Sequence, residues 1–313
     1  GGMASVVDLG CGIGGDALGL AGLGLDVHAV DADEVTAALA AYNLAPFGAQ
    51  ATVAHARAED VDVSGRDAVW LDPARRTAGH SETRRTSAAE WSPSLEWVFE
   101  LLGRMPGGVK LGPGFDRDGI PEGMEAQWVS ADGSTIELVL WSGALARPGV
   151  RRAALVVRGG EAWELTAPAD TDDVEPRDLG AFVHEPDGAV IRARLIGEVA
   201  RSLDAGMVAP GIAYLTSDAA LTSPFVSSFR VRETLPVDTK KLAQALRARG
   251  IGTLEIKKRG FDVDPAVLRK KLSLKGDDSA TLILTRSGSR RLAVLADRIP
   301  QASATAQSSQ PEL

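Results

Sequence analysis

The chain has 313 residues, 44% of them hydrophobic, and a formal net charge of −8, enough to bury more than one core and to suggest two domains. It contains no run of about 18 uncharged apolar residues and no basic start followed by an apolar centre, which argues against membrane insertion and secretion and for a cytoplasmic protein. Its single cysteine, Cys11, forbids an internal disulfide and fits a reducing compartment. His28, His55, His80 and His184 are scattered without cysteine company, so no metal site is expected. Strand-like residues begin at Ser5, and further sequence upstream is expected.

The first element reads as a strand, Val6-Val7-Asp8-Leu9, feeding a helix from Asp16 through the glycine-dense turn Gly10-Cys11-Gly12-Ile13-Gly14-Gly15. Glycines there keep side chains out of a ligand's way and leave backbone N–H groups at a helix N-terminus. Gly10-x-Gly12-x-x-Gly15 also fits a dinucleotide fingerprint, and Asp31, ending the second strand Leu25–Asp31, stands where a ribose partner belongs. Asp8 decides between ligands, because a carboxylate at that place repels a pyrophosphate and suits an ammonium. An adenosyl ligand carrying an ammonium is the reading. A helix with Val35, Leu39 and Tyr42 to Leu44 on one side follows, then a short strand, Ala51–Ala54, and a charged exit in which Glu59 or Asp60 is the candidate partner of an adenine amino group.

The segment Asp8-Leu9-Gly10-Cys11-Gly12-Ile13-Gly14 resembles the first motif of the class I S-adenosylmethionine-dependent methyltransferases, and the likeness extends over about 140 residues. It implies S-adenosyl-L-methionine as cofactor. The candidate contacts are Asp8, Gly10, Cys11, Gly12, Gly14 and Asp16 in the loop, Asp31 and Ala32 after the second strand, and Glu59 or Asp60. Asp72-Pro73-Ala74-Arg75, leaving the fourth strand Asp67–Leu71, is similar to the Asp/Asn-Pro-Pro-aromatic motif of amino-directed methyltransferases. Asp72 would orient the methyl acceptor, Pro73 would fix the backbone behind it, and Arg75 completes the catalytic candidates.

Ala74 and Arg75 replace the second proline and the aromatic, which brings the motif nearer to that of uracil-C5 RNA methyltransferases. Those enzymes need a cysteine nucleophile after the next strand, and Gly108 to Phe115 supplies none, so direct transfer to nitrogen or oxygen is expected, with an RNA nitrogen preferred. Thr77 to Trp91 is a polar stretch that, with Arg75 and Arg76, reads as an anion-recruiting lid and puts Arg76 among the substrate-binding candidates. Ser92-Pro93 caps a helix with Leu95, Val98, Phe99 and Leu102 as its apolar stripe. Val109–Leu111, Ala126–Val129 and Ile136–Trp141 complete a Rossmann-like seven-stranded α/β sheet, the last two as a hairpin around Asp132-Gly133.

From about residue 147 the chain changes to short β-like runs and acidic loops. Residues 1–146 are therefore assigned to the cofactor domain and 147–229 to a connecting β-rich and helical region in which Val190–Leu203 reads as one amphipathic helix. Residues 230–298 form a basic α+β domain, and 299–313 a disordered tail. Between Lys240 and Lys275 eleven basic residues face three acidic ones, a segment charge of +8 on a chain of −8, which points to a polyanion-binding face with Lys257, Lys258 and Arg259 as candidate contacts. Gly250 to Gly260 with Asp264-Pro265 resembles the THUMP-like domain that follows a methyltransferase core, and an RNA substrate is what that resemblance implies. The rival readings are a small-molecule methyltransferase, a non-catalytic RNA-binding protein and an NAD-dependent oxidoreductase. The last is disfavoured because no hydride-transfer apparatus follows the glycine loop.

Overall fold

The computed structural model describes residues 2–75 and 91–300. The chain divides into two compact units, the first comprising Gly1–Val129, Thr135–Leu155 and Thr166–Ala169, the second Ser130–Ser134, Val156–Leu165 and Asp170–Leu313.

In chain order the first sheet and its helices are β1 (Ser5–Leu9), α1 (Gly15–Gly22), β2 (Asp26–Asp31), α2 (Glu34–Leu44), β3 (Ala51–His55), β4 (Ala68–Leu71), β5 (Ala74–Arg75), β6 (Trp91–Ser92), α3 (Leu95–Arg104), β7 (Gly107–Leu111), β8 (Glu125–Ala131), β9 (Ser134–Ser142), β10 (Arg152–Arg158) and β11 (Glu161–Ala167). The strand order is β11-β10-β8-β9-β7-β4-β1-β2-β3, with β5 and β6 forming a separate ribbon. β1 runs parallel to β2 and β4, β2 to β3 and β4 to β7, while β9 pairs antiparallel with β7. Because β2 and β3 lie on one side of β1 and β4 on the other, the order reverses between β1 and β4. The loops leaving those two strands at their carboxyl ends diverge, and the crevice between them is the place where such sheets take ligands.

Seven of these strands are the ones read from the sequence. Arg152–Arg158 and Glu161–Ala167 extend the sheet to nine by pairing beyond β8. The turn between β8 and β9 is Asp132-Gly133, both with positive φ (46° and 82°), the conformation that lets a two-residue hairpin follow the strand twist.

The helices show where a simple apolar stripe misleads. Val35, Leu39 and Tyr42 are exposed on α2, and its buried residues are Ala37, Ala40 and Leu44. Gly14, at φ 86°, explains this, for a Cβ built there would lie 3.5 Å from Ala40 Cβ and Leu44 Cδ1. Ala40 and Leu44 therefore pack directly against the loop. Further along, Ser94 rather than Ser92 caps α3, its side chain accepting a hydrogen bond from Trp97 N.

The second unit adds β12 (Phe182–Pro186), α4 (Gly188–Arg192), α5 (Ile196–Ser202), β13 (Gly206–Ala209), β14 (Ile212–Ser217), β15 (Val226–Leu235), α6 (Thr239–Ala248), β16 (Ile251–Lys258), α7 (Pro265–Leu272), β17 (Asp278–Ser287) and β18 (Arg290–Arg298). They form a sheet in the order β13-β14-β12-β15-β18-β17-β16, parallel only between β16 and β17. The single helix expected over Val190–Leu203 is two, broken at Arg194, whose φ of 60° no α-helix continues through. One sheet face meets α6 and α7 through Leu242, Leu246, Leu268 and Leu272 against Leu254, Leu282, Leu284 and Leu295. The opposite face buries Tyr214, Phe229, Ile283 and Val294. Alternation along β17 and β18 sorts neighbouring residues between these two cores.

Candidate functional site

After β1 the backbone turns at Gly10 (φ 87°) so that the N–H groups of Gly10 and Cys11 both donate to Val30 O, at 2.8 and 2.9 Å, tying the loop to the end of β2. Asp31, the last residue of β2, receives Gly12 N on Oδ2 and Asp33 N on Oδ1, each at 2.9 Å. Two backbone donors fix the carboxylate, and each oxygen retains a lone pair for a ligand hydroxyl. Asp33 caps α2 by accepting from Thr36 N and Oγ1, bonds that hold its carboxyl below the usual range. His55 Nε2 lies 3.1 Å from Ala32 O.

These residues wall a cavity of about 730 Å³, a volume that accommodates a nucleoside-sized ligand. Gly10, Cys11, Gly12 and Asp16 line it from the glycine loop, Asp31, Ala32 and Asp33 from the end of β2, and Arg57, Ala58 and Glu59 from beyond β3. Asp72, Ala74, Ser92 and Pro93 close it from the other side. Glu59 is held by Arg57 at 3.3 Å. Asp60, on the same short turn, is exposed and does not reach the lining.

Behind the glycine loop sits Asp8, 1% exposed, with no hydrogen-bond partner for either carboxyl oxygen among the described residues. Burial, then the charges of Asp16 and Asp72, push its pKa up to about 7 against the pull of Lys110 and the Ala17 N–H. Of the expected cofactor contacts, Asp8 and Gly14 do not line the cavity: Asp8 lies behind the lining, its charge coupled to that of Asp16 and Asp72, and Gly14 faces α2. An orphaned buried carboxyl so placed fits a cationic group. The Cys11 thiol is pushed up to about 12 by burial, Asp8 and Asp31, and stays protonated at neutral pH.

On the opposite wall Asp72 follows β4, with Pro73 buried behind it. Its Oδ2 lies 3.0 Å from Lys110 Nζ, and the same ammonium donates to Asp16 Oδ2 at 2.9 Å, where Trp70 Nε1 also donates at 2.9 Å. Burial works against the Lys110 charge, but the bonds to Asp16 and Asp72 outweigh it and hold the pKa above the ordinary lysine range. Glu137, on β9, is raised by burial, with Lys110 opposing and Asp16 and Asp72 adding. Lys110 is the residue that sequence reasoning missed. Its signal was a lone lysine in the otherwise apolar strand Gly107–Leu111, and charged residues are rarely placed in buried strands without a partner. Arg75 contributes its backbone to the β5–β6 ribbon opposite Trp91. Arg76 and the lid expected from Thr77 onward, up to residue 90, lie outside the described residues.

In the second unit strand alternation splits Lys257, Lys258 and Arg259. Lys257 and Arg259 pair with Glu185, at 2.6 and 3.6 Å, and lie over the rings of Phe229 and Tyr214. Lys258 is exposed. On α6 and α7, Lys240, Lys241, Lys270 and Lys271 are exposed and have no carboxylate partner among the described residues. Among the described residues no group of His, Cys, Asp or Glu is arranged to hold a metal ion, and no helix is long and apolar enough to cross a membrane.

Residues 226–298, from β15 to β18, match the THUMP domain-like family model. The chain is 35% identical over 292 residues to an uncharacterized S-adenosylmethionine-dependent methyltransferase of Mycobacterium tuberculosis, the match covering 92% of this chain and 78% of the relative. A crystal structure from Porphyromonas gingivalis W83, described as that of a candidate methyltransferase, has the same fold, with a TM-score of 0.76 and 21% identity over 95% of this chain and 78% of its own.

Proposed function

Since the chain belongs to the S-adenosylmethionine-dependent methyltransferases, we propose that it moves the methyl group of S-adenosyl-L-methionine directly onto a nitrogen of an RNA. The observation that carries this reading is that the glycine loop, Asp31 and Asp72 line one cavity. When bound, the cofactor supplies a methyl group activated by a sulfonium.

In this reading Asp31 accepts hydrogen bonds from the ribose hydroxyls, and the Gly10 to Gly14 backbone leaves room for the chain between ribose and methionine. Ionised Asp8 balances the amino-acid ammonium, and Glu59, which lines the cavity where Asp60 does not, receives the adenine amino group. Asp72 takes the acceptor. Its Oδ2 is engaged by Lys110, and Oδ1 carries no hydrogen bond among the described residues and is free to accept the acceptor N–H. That bond aims the nitrogen lone pair along the line of displacement. The new N–C bond forms as C–S breaks with its electron pair kept on sulfur, and the nitrogen's proton passes to Asp72 and on to solvent. The protonated thiol of Cys11, the only cysteine in the chain, offers no nucleophile for covalent activation of a ring carbon, which favours nitrogen.

The RNA half of the proposal draws on the THUMP-like match and on the exposed lysines of α6 and α7, which have no carboxylate partner among the described residues. With Lys257 and Arg259 engaged by Glu185, these helices are the better candidates for phosphate contact. Incubation with methyl-labelled S-adenosylmethionine and unmodified cellular RNA tests it. Label is expected in RNA nucleosides and is lost with Asp72→Ala. Label confined to protein or to small metabolites contradicts the RNA assignment.

A further inference from the structure

Two of the cavity's lining carboxyl groups, Asp16 and Asp72, belong to a larger acidic cluster that extends behind the wall. Asp8 comes from β1, Asp16 from the start of α1, Asp72 from the end of β4 and Glu137 from β9, and each interacts with Lys110 on β7. Four acidic groups thus surround one ammonium. Lys110 touches two of them directly, at 2.9 Å to Asp16 and 3.0 Å to Asp72, and its side chain is only 23% exposed. Asp16 is held in turn by the Trp70 indole, so the bridge from α1 through Lys110 to Asp72 is anchored at its far end. Asp72 has no other polar contact among the described residues.

We propose that Lys110 is a positioning residue for methyl transfer: its ammonium ties Asp72 to Asp16, turns the free Asp72 oxygen toward the acceptor, and sets a positive charge near the buried Asp8. This role rests on the reading of Asp72 as the acceptor-orienting group and of Asp8 as the partner of the cofactor's ammonium. Without the lysine, Asp72 at the cavity wall has nothing to hold its rotamer, and the cluster has no cation to offset the mutual repulsion of its carboxylates. A proton then stays on Asp8 to higher pH, and the cofactor's ammonium meets a neutral group.

The test follows S-adenosylmethionine binding by calorimetry between about pH 5.5 and pH 9 in the wild type, Lys110→Gln, Lys110→Met and Lys110→Arg, with circular dichroism as the check on folding, and transfer to cellular RNA measured alongside. In the wild type, affinity rises with pH and levels off near pH 7, where Asp8 ionises. In the Gln and Met variants the levelling point moves up, since the Lys110 charge is one of the influences that lower the Asp8 pKa, and turnover falls on the order of 10-fold to 100-fold. Lys110→Arg keeps the charge, keeps the levelling point and recovers part of the turnover. A folded Gln or Met variant whose levelling point coincides with that of the wild type overturns the proposal even if its melting temperature drops. A wild type that binds no S-adenosylmethionine overturns the cofactor assignment, and the role of Lys110 with it.

Discussion

The carboxyl edge of the first sheet and the surface of the second handle charge in opposite ways. At the first, Asp8, Asp16 and Glu137 are drawn into partial or complete burial around one lysine with the more exposed Asp72 at the rim, and Asp8 has no hydrogen-bond partner among the described residues. At the second, lysines of α6 and α7 stand in solvent, while the half-buried Lys257 and Arg259 are matched by Glu185. Buried charge couples binding to protonation, because desolvation makes ionisation depend on what sits nearby. Exposed charge acts through the ionic atmosphere, so its effects fade with salt. Under the proposed function the two regions would divide the work accordingly, one fixing a small cationic cofactor and the other offering a field to a polyanion.

The largest expected effect in breaking that division is at Asp72. Asp72→Ala should lower turnover by about 10²-fold to 10⁴-fold, the range for losing a group that aligns and deprotonates an acceptor, while S-adenosylmethionine affinity and RNA binding stay within about threefold of wild type. Kinetics with labelled cofactor and an independent RNA-binding measurement separate these outcomes.

Asp31→Ala comes next. It removes the acceptor of the Gly12 and Asp33 N–H groups as well as the ribose contact, and should weaken cofactor binding by about 10-fold to 100-fold, readable by calorimetry.

A third effect sets the units against each other by pH. The Asp8 carboxyl is raised in the fold to about 7, so the unliganded first unit is most stable when that group is protonated. Stability is lost as pH rises from about 4 to 7, by at most about 4 kcal/mol. His184 shows the reverse. Fully buried between Ser228 and Ser217, its ring nitrogens at 2.8 and 2.9 Å from their hydroxyls, it is held neutral by burial, which lowers its pKa to about 4. The second unit therefore loses up to about 3 kcal/mol as pH falls from 6.5 to 4. Hydrogen exchange read separately for the two units, with intrinsic rates corrected for pH, should show the first gaining protection and the second losing it on acidification. Asp8→Asn should flatten the first response and raise unliganded stability at pH 8, and a flat second unit would remove the assigned role of His184.

The smallest effects belong to the exposed lysines. Lys270→Glu with Lys271→Glu should weaken RNA binding severalfold, reduce its dependence on salt, and leave cofactor affinity unchanged. Unchanged RNA affinity would return the basic segment to an ordinary solvated surface.

What was legible beforehand follows the range of the interaction concerned. The strand, glycine turn and helix around Asp8 to Asp16, and the acids Asp31 and Asp72 at strand ends, are local patterns, and a parallel sheet necessarily gathers such ends along one edge. Lys110 was not legible, because its partners Asp16 and Asp72 are far from it in sequence and only the order β7-β4-β1 brings them together. The destination of β10 and β11 was hidden for a similar reason, since the alternation of a hairpin does not say which sheet edge it will join. Val35, Leu39 and Tyr42 form a helical stripe, yet α2 buries its other face, Ala37, Ala40 and Leu44, the last two packed against the loop at Gly14. In Lys257-Lys258-Arg259 the run of charge was visible, but Glu185, which neutralises two of the three, comes from β12.

A crystal structure of the protein with S-adenosylhomocysteine tests the central claim most directly. The account predicts the ribose hydroxyls on Asp31, the amino-acid ammonium directed at Asp8, and the sulfur facing the Asp72 carboxylate across the same cavity. A nucleoside bound elsewhere, or a sulfur turned away from Asp72, would contradict it.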